Sequence, residues 1–199
     1  MEDSIDMRGN DLRFIASDSY RYLVSRLWRF AGVGILVLLA TLGSANVASA
    51  QVTSVSATTL KGIKVLRGPD ATQINSVAWV NLPGASASFT LAPGASYLFV
   101  TRFTAESVCY GDTGWCPVRV LMNGTEMGPS VAYDFAFDST NGGAATSEGW
   151  QSHAVDRSLR YTNTSTKDLT VTAVLQYAVT DSTITFRLDD WQFTVEQFE

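Results

Sequence analysis

Histidine is nearly absent from this 199-residue chain, which has one. Cysteine occurs twice, so the two residue types together cannot supply the usual zinc ligand sets. Two cysteines also cannot carry a disulfide-only scaffold. Charged residues make up 17% of the chain and the net charge is −5. That balance excludes nucleic acid as a partner, because a phosphate backbone is gripped by clustered bases. What is abundant is apolar: 46% of the residues are hydrophobic, too many for a disordered tail.

The longest apolar run, Phe30 to Leu42, has 13 residues and is short of the ~20 that a membrane span needs. Arg21, Arg26 and Arg29 precede it, and the small residues Ala48 and Ala50 follow. A basic flank, a short apolar segment and an A-x-A site read as a secretory signal peptide cut after Ala50. The region before the apolar run is long for such a signal. An uncleaved anchor extending weakly through Gly43 to Ala50 is the alternative, and a core helix is a weaker one. Residues 1–50 hold five acidic and five basic residues, so residues 51–199 keep the whole negative charge. About 150 residues suffice for one core, and one domain is expected.

From Gln51 onward the hydrophobic period is two. Tyr97, Phe99, Thr101 and Phe103 alternate with Leu98, Val100, Arg102 and Thr104. Tyr133, Phe135 and Phe137 form a second set, and Val171, Ala173, Leu175 and Tyr177 a third. Such alternation puts one face on a core and one toward solvent, as in antiparallel sheets. Pro83-Gly84, Pro93-Gly94, Asn123-Gly124 and Asn141-Gly142-Gly143 punctuate the strands, and Asn-Gly is a two-residue hairpin signal. Residues 52–66 read as a weaker edge strand or arm. Near the C-terminus Ile184, Phe186 and Leu188 set an even-numbered face, whereas Trp191, Phe193 and Val195 set an odd one. A β-bulge at Asp189-Asp190 reconciles the two. The expected fold is all-β, an antiparallel β-sandwich or jelly-roll-like domain preceded by an N-terminal signal helix.

Cys109 and Cys116 flank a short Gly-containing loop between strands, which reads as a disulfide staple of a hairpin in an oxidising compartment. Around them, Ala105 to Tyr110 and Gly114 to Val120 resemble a pattern in uncharacterised secreted bacterial proteins. So do Phe135 to Ser139, His153 to Ser158 and Asp189-Asp190-Trp191. The resemblance covers roughly residues 97–198. It implies a compact exported β-sandwich and carries over no activity and no catalytic residue.

Candidate chemistry is sparse. His153 lies near Ser152 and Asp156, the residue types of a nucleophilic triad. Neighbours on a strand point to opposite faces, so Ser152 is not expected to reach the ring. Ser139 or Ser158 could approach from elsewhere, but no G-x-S-x-G elbow is present. Glu106, Asp112, Asp134, Asp138, Asp156, Asp189 and Asp190 offer carboxylates for a glycosidase pair or a calcium site. Asp189 and Asp190 are the metal candidates, and ion pairing with Arg157 or Arg187 is the plainer reading. No cofactor is expected, calcium being the alternative. Aromatic residues give the binding hint: Tyr110 and Trp115 in the stapled loop, and Trp150 with His153 after the Gly-rich loop, are candidate ligand residues. Trp79 and Trp191 read as core. Asn123 and Asn163 each open an N-x-[ST] sequon. The expectation is a secreted, non-catalytic binding or structural module whose partner is a cell-surface or extracellular glycan or protein. A hydrolase of glycans or esters and a self-assembling jelly-roll subunit are the competing readings.

Overall fold

Alternating apolar and polar residues dictate strands, and the computed structural model of the chain is built from them. It describes residues 55–130 and 136–199. The expected signal helix, the cut after Ala50, and Tyr133, Asp134 and Phe135 lie outside the described residues. The strands are β1 (Leu60–Gly68), β2 (Thr72–Ile74), β3 (Val80–Leu91), β4 (Ser96–Tyr110), β5 (Trp115–Met122), β6 (Thr125–Glu126), β7 (Ala136–Ser139), β8 (Gln151–Thr162), β9 (Leu169–Tyr177) and β10 (Thr185–Phe198). Among the described residues the only helical element is a 3₁₀ turn, Asn141–Gly143.

The strands form two antiparallel sheets. One has the order β1-β10-β4-β8, with β2 also on β10. The other has the order β3-β9-β5-β6, with β7 also on β5. This all-β, two-sheet architecture is consistent with a β-sandwich. Residues 52–66, read as an edge strand or arm, overlap β1 at the edge of the first sheet.

The core is the set of inward positions that the alternation marks. Phe99, Phe103, Phe186, Leu188, Phe193 and Val195 come from the first sheet; Leu91, Val118, Val120, Val171, Ala173 and Leu175 come from the second. All of them are almost entirely shielded from solvent. Phe89 on β3 and Phe99 on β4 meet edge to face across the sheets, with centroids 5.4 Å apart. Such a pair adds about 1 kcal/mol beyond burial of its area. Trp191 is buried as expected, against Gly68, where any Cβ would run into the indole.

The bulge is where the parity flips. Asp189 pairs with Glu106 and Gln192 with Thr104, so β10 carries one extra residue against β4. Asp190 takes a positive φ of 43° there. Asn123 and Gly124, with φ of 50° and 87°, close the hairpin between β5 and β6. Pro83-Gly84 differs from the expected turn. β3 runs through it, with an irregularity between Asn81 and Ser86 opposite β9. The reason is position: β3 is an edge strand, where a proline without an N–H and a glycine at positive φ make a bulge instead of ending the strand.

Candidate functional site

One end of the two-sheet structure gathers three loops. The first joins β4 to β5, the second joins β7 to β8, and the third joins β9 to β10. Cys109 and Cys116 form the disulfide, with Cα atoms 6.0 Å apart. The expected hairpin staple is corrected in one respect. β4 and β5 belong to different sheets, so the bridge ties the sheets together at this end. The short loop crosses from one layer to the other instead of turning back within a ladder. Thr140, fully buried, clips the second loop to the first. Its Oγ accepts from the Gly114 N–H at 2.9 Å, and its own N–H donates to the Gly114 carbonyl at 3.1 Å. The third loop is tied in by Thr180, whose Oγ accepts from the Trp115 N–H at 2.9 Å and whose N–H donates to the Trp115 carbonyl at 3.0 Å.

Behind the second loop lies a cleft of about 590 Å³, lined among others by Phe137, Asp138, Asn141, Gln151 and His153. Two of its lining side chains, Asp138 and His153, meet the buried Ser107 behind them, so three strands contribute one polar side chain each. Ser107 on β4 donates to Asp138 Oδ2 on β7 at 2.6 Å. The same hydroxyl is 2.9 Å from His153 Nδ1 on β8. His153 and Asp138 are themselves 3.9 Å apart, so the serine stands between them. Asp138 Oδ1 accepts from the Ser139 N–H at 2.7 Å. The His153 ring packs edge to face on Phe137, with centroids 5.5 Å apart.

These are the residue types of a triad in an order that does not serve nucleophilic attack. A triad serine faces substrate, and the histidine stands between it and the carboxylate. Here Ser107 has no exposed surface and lies between its two partners. Ser152 is exposed and turned to the other face of β8. Ser139 and Ser158 make no hydrogen bond to His153. Ser107 was missed in the sequence, although the parity of β4 turns it inward between Ala105 and Cys109, a polar residue on a core face. Thr140 was missed too, and carries no such periodic signal.

The aromatic candidates divide. Trp115 is 46% exposed and lines a second concavity of about 410 Å³ with Thr113, Ser139, Thr180 and Asp181. Ser139 belongs to both concavities, so Trp115 and His153 stand on neighbouring hollows. Tyr110 and Trp150 line neither. Tyr110 is half-buried at the end of β4, and Trp150 stacks under the Arg187 guanidinium at 4.7 Å. Trp79, read as core, is half-buried beneath Arg119 at 4.4 Å. A cation over the ring supplies part of what burial would have given.

The charges are mostly engaged in structure. Asp189 Oδ1 accepts from the Asp190 N–H at 2.9 Å, a local bond that braces the bulge. Among the described residues no group of three His, Cys, Asp or Glu side chains is placed to hold a metal. The partner of Asp156 is Arg102, which donates to both carboxylate oxygens, at 2.8 and 3.3 Å. Arg157 is buried, and desolvation lowers its pKa against the raising effect of Glu126 and Asp156. Asp181, beside Trp115, is held below the ordinary aspartate value. The Thr183 N–H and then the Thr183 hydroxyl donate to its Oδ1, each at 2.9 Å. Of the two sequons, Asn163 is fully buried with its amide committed, whereas Asn123 is exposed at a hairpin tip.

No known protein family and no curated protein matches the chain. Among solved structures, the crystal structure of dimeric latent PorU from Porphyromonas gingivalis is similar at 13% identity and a TM-score of 0.38. The match covers 75% of this chain and 14% of that one.

Proposed function

We propose that the chain is an exported jelly-roll module that binds glycan without turning it over. The jelly-roll reading is supported by strand order. β1-β10-β4-β8 in one sheet, with β3-β9-β5 and β7 in the other, follows the interleaving of two Greek keys. Export is supported by the disulfide and by the signal-like segment ending at Ala50. The observation that carries the binding reading is Trp115. Its indole is nearly half exposed, yet its backbone is hydrogen-bonded to Thr180 on both sides and followed by the disulfide. A large, two-torsion aromatic side chain on a fixed backbone loses little entropy when a ligand stacks on it. The hydroxyls of Thr113, Ser139 and Thr180 and the Asp181 carboxylate ring the same hollow. An apolar platform with a polar rim suits a sugar, which has an apolar face and hydroxyl edges.

A glycan array on residues 51–199, followed by tryptophan fluorescence titration of the hits, tests this reading. Saturable binding that Trp115→Ala abolishes, with the melting temperature kept, is the expected result. Binding to no glycan, or binding indifferent to Trp115→Ala, overturns it.

A further inference from the structure

His153 is the one histidine of the chain, and its neighbours decide which ring nitrogen carries the proton. Ser107 has a single hydroxyl hydrogen and two partners, Asp138 Oδ2 at 2.6 Å and His153 Nδ1 at 2.9 Å. An ionised carboxylate only accepts, so the serine hydrogen goes to Asp138. The serine oxygen is then left to accept, and the hydrogen in the second contact comes from Nδ1. In a neutral imidazole this leaves Nε2 as a bare acceptor.

We propose that the Asp138–Ser107 pair locks His153 as the Nδ1–H tautomer and thereby makes Nε2 the hydroxyl-accepting group of a sugar subsite in the β7–β8 cleft. Among the described residues the ring's one hydrogen bond is at Nδ1, and the side chain is 28% exposed, lining this cleft and also a hollow beside Thr104 and Glu106. The ring cannot swing freely, because Phe137 packs against it edge to face. The cleft's volume, about 590 Å³, is in the range of small-ligand sites. Its lining has side-chain amides and hydroxyls from Asn141, Gln151 and Thr146, and among the described residues its one carboxylate is Asp138. Among the described residues no lysine or arginine lines it, so a neutral polyhydroxylated ring is favoured over an anion. The ligand class rests on the glycan reading above, while the tautomer rests on the hydrogen-bond geometry alone. Ser107 is on this account a positioning residue, acting through His153.

Having one histidine makes the test clean. Long-range ¹H–¹⁵N correlation spectra of the folded protein, with the imidazole neutral, report the tautomer without assignment ambiguity. The expected spectrum has a protonated Nδ1 and a pyridine-type Nε2; a protonated Nε2 overturns the proposal. Methyl glycosides of glucose, galactose and mannose are then titrated at millimolar concentration. At least one is expected to shift the Nε2 signal. Ser107→Ala is expected to return the proton to Nε2 and weaken that binding about tenfold, the worth of one hydrogen bond. If none of the three glycosides moves the His153 signals, the subsite is refuted, even where an array hit still quenches Trp115. A shift at His153 that Trp115→Ala leaves unchanged keeps the subsite and shows that it works independently of the Trp115 hollow. Should Ser107→Ala not fold, the wild-type tautomer and titration decide the matter alone.

Discussion

Asn163 has no exposed surface, and all of its polar capacity is in use. Its Nδ2 shares two hydrogens among the carbonyls of Leu91, Ala92 and Lys167, at 3.0, 3.0 and 2.8 Å, and its Oδ1 accepts from the Ser165 N–H and hydroxyl. It closes the β8–β9 loop over the end of β3, although in sequence it looks like a sequon in a polar turn. Asn163→Ala leaves those carbonyls without their donor and is expected to cost about 3 kcal/mol, read from urea unfolding. Asn163→Asp, which sets a carboxylate against the same carbonyls, is expected to cost more. Asp181 gives the pH prediction at this scale. Its folded pKa is depressed by the two Thr183 donors, so its contribution is complete above the ordinary aspartate value and is lost as pH falls through the folded value. The protection factor of the Thr183 amide, its exchange rate taken relative to the intrinsic rate at each pH, is expected to fall in that acid window, and Asp181→Asn to remove that fall.

Among the elements, β10 rewards the closest reading. Its two apolar sets differ in parity, and a strand can present both to one core only by spending one extra residue. The register against β4 has that residue between Asp189 and Gln192. Asp190 at φ 43° is in the left-handed region, which aspartate tolerates and a β-branched residue does not. Asp190→Val is expected to cost about 1–2 kcal/mol, whereas Asp190→Gly stays within about 0.5 kcal/mol. Deleting Asp190 turns one apolar set outward and is expected to abolish cooperative thermal unfolding. β3 teaches the opposite lesson. Pro83-Gly84 reads locally as a stop, but whether a proline ends a strand or bulges it depends on whether a neighbour needs its N–H. That neighbour is chosen by the fold, and among the described residues there is none in the sheet on the outer side of β3.

For the molecule as a whole, the disulfide is the one covalent tie between the sheets among the described residues. Closing an eight-residue loop is worth about 2.5 kcal/mol by chain entropy. Replacing both Cys109 and Cys116 by Ala is expected to lower stability by about that amount in denaturant titration. Both cysteines are buried, so native protein is expected to resist mild reductant until it unfolds. The inward faces of β4, β9 and β10, the Asn-Gly hairpin and the bulge are all readable from the chain, because period-two burial and turn chemistry are properties of adjacent residues. The sheet each strand joins is not local, and the polar core of the cleft follows from it. Ser107 is 31 residues from Asp138 and 46 from His153. Strand pairing alone sets β8 beside β4, and sheet packing alone brings β7 across from them. Sequence therefore determined the strands, their buried faces and the placing of Trp115 beside the stapled loop, where it opens β5. Tertiary structure decided that the disulfide joins two layers, that Ser107 is locked between Asp138 and His153, and that Asn163 is a clamp, because each depends on contacts between residues far apart along the chain.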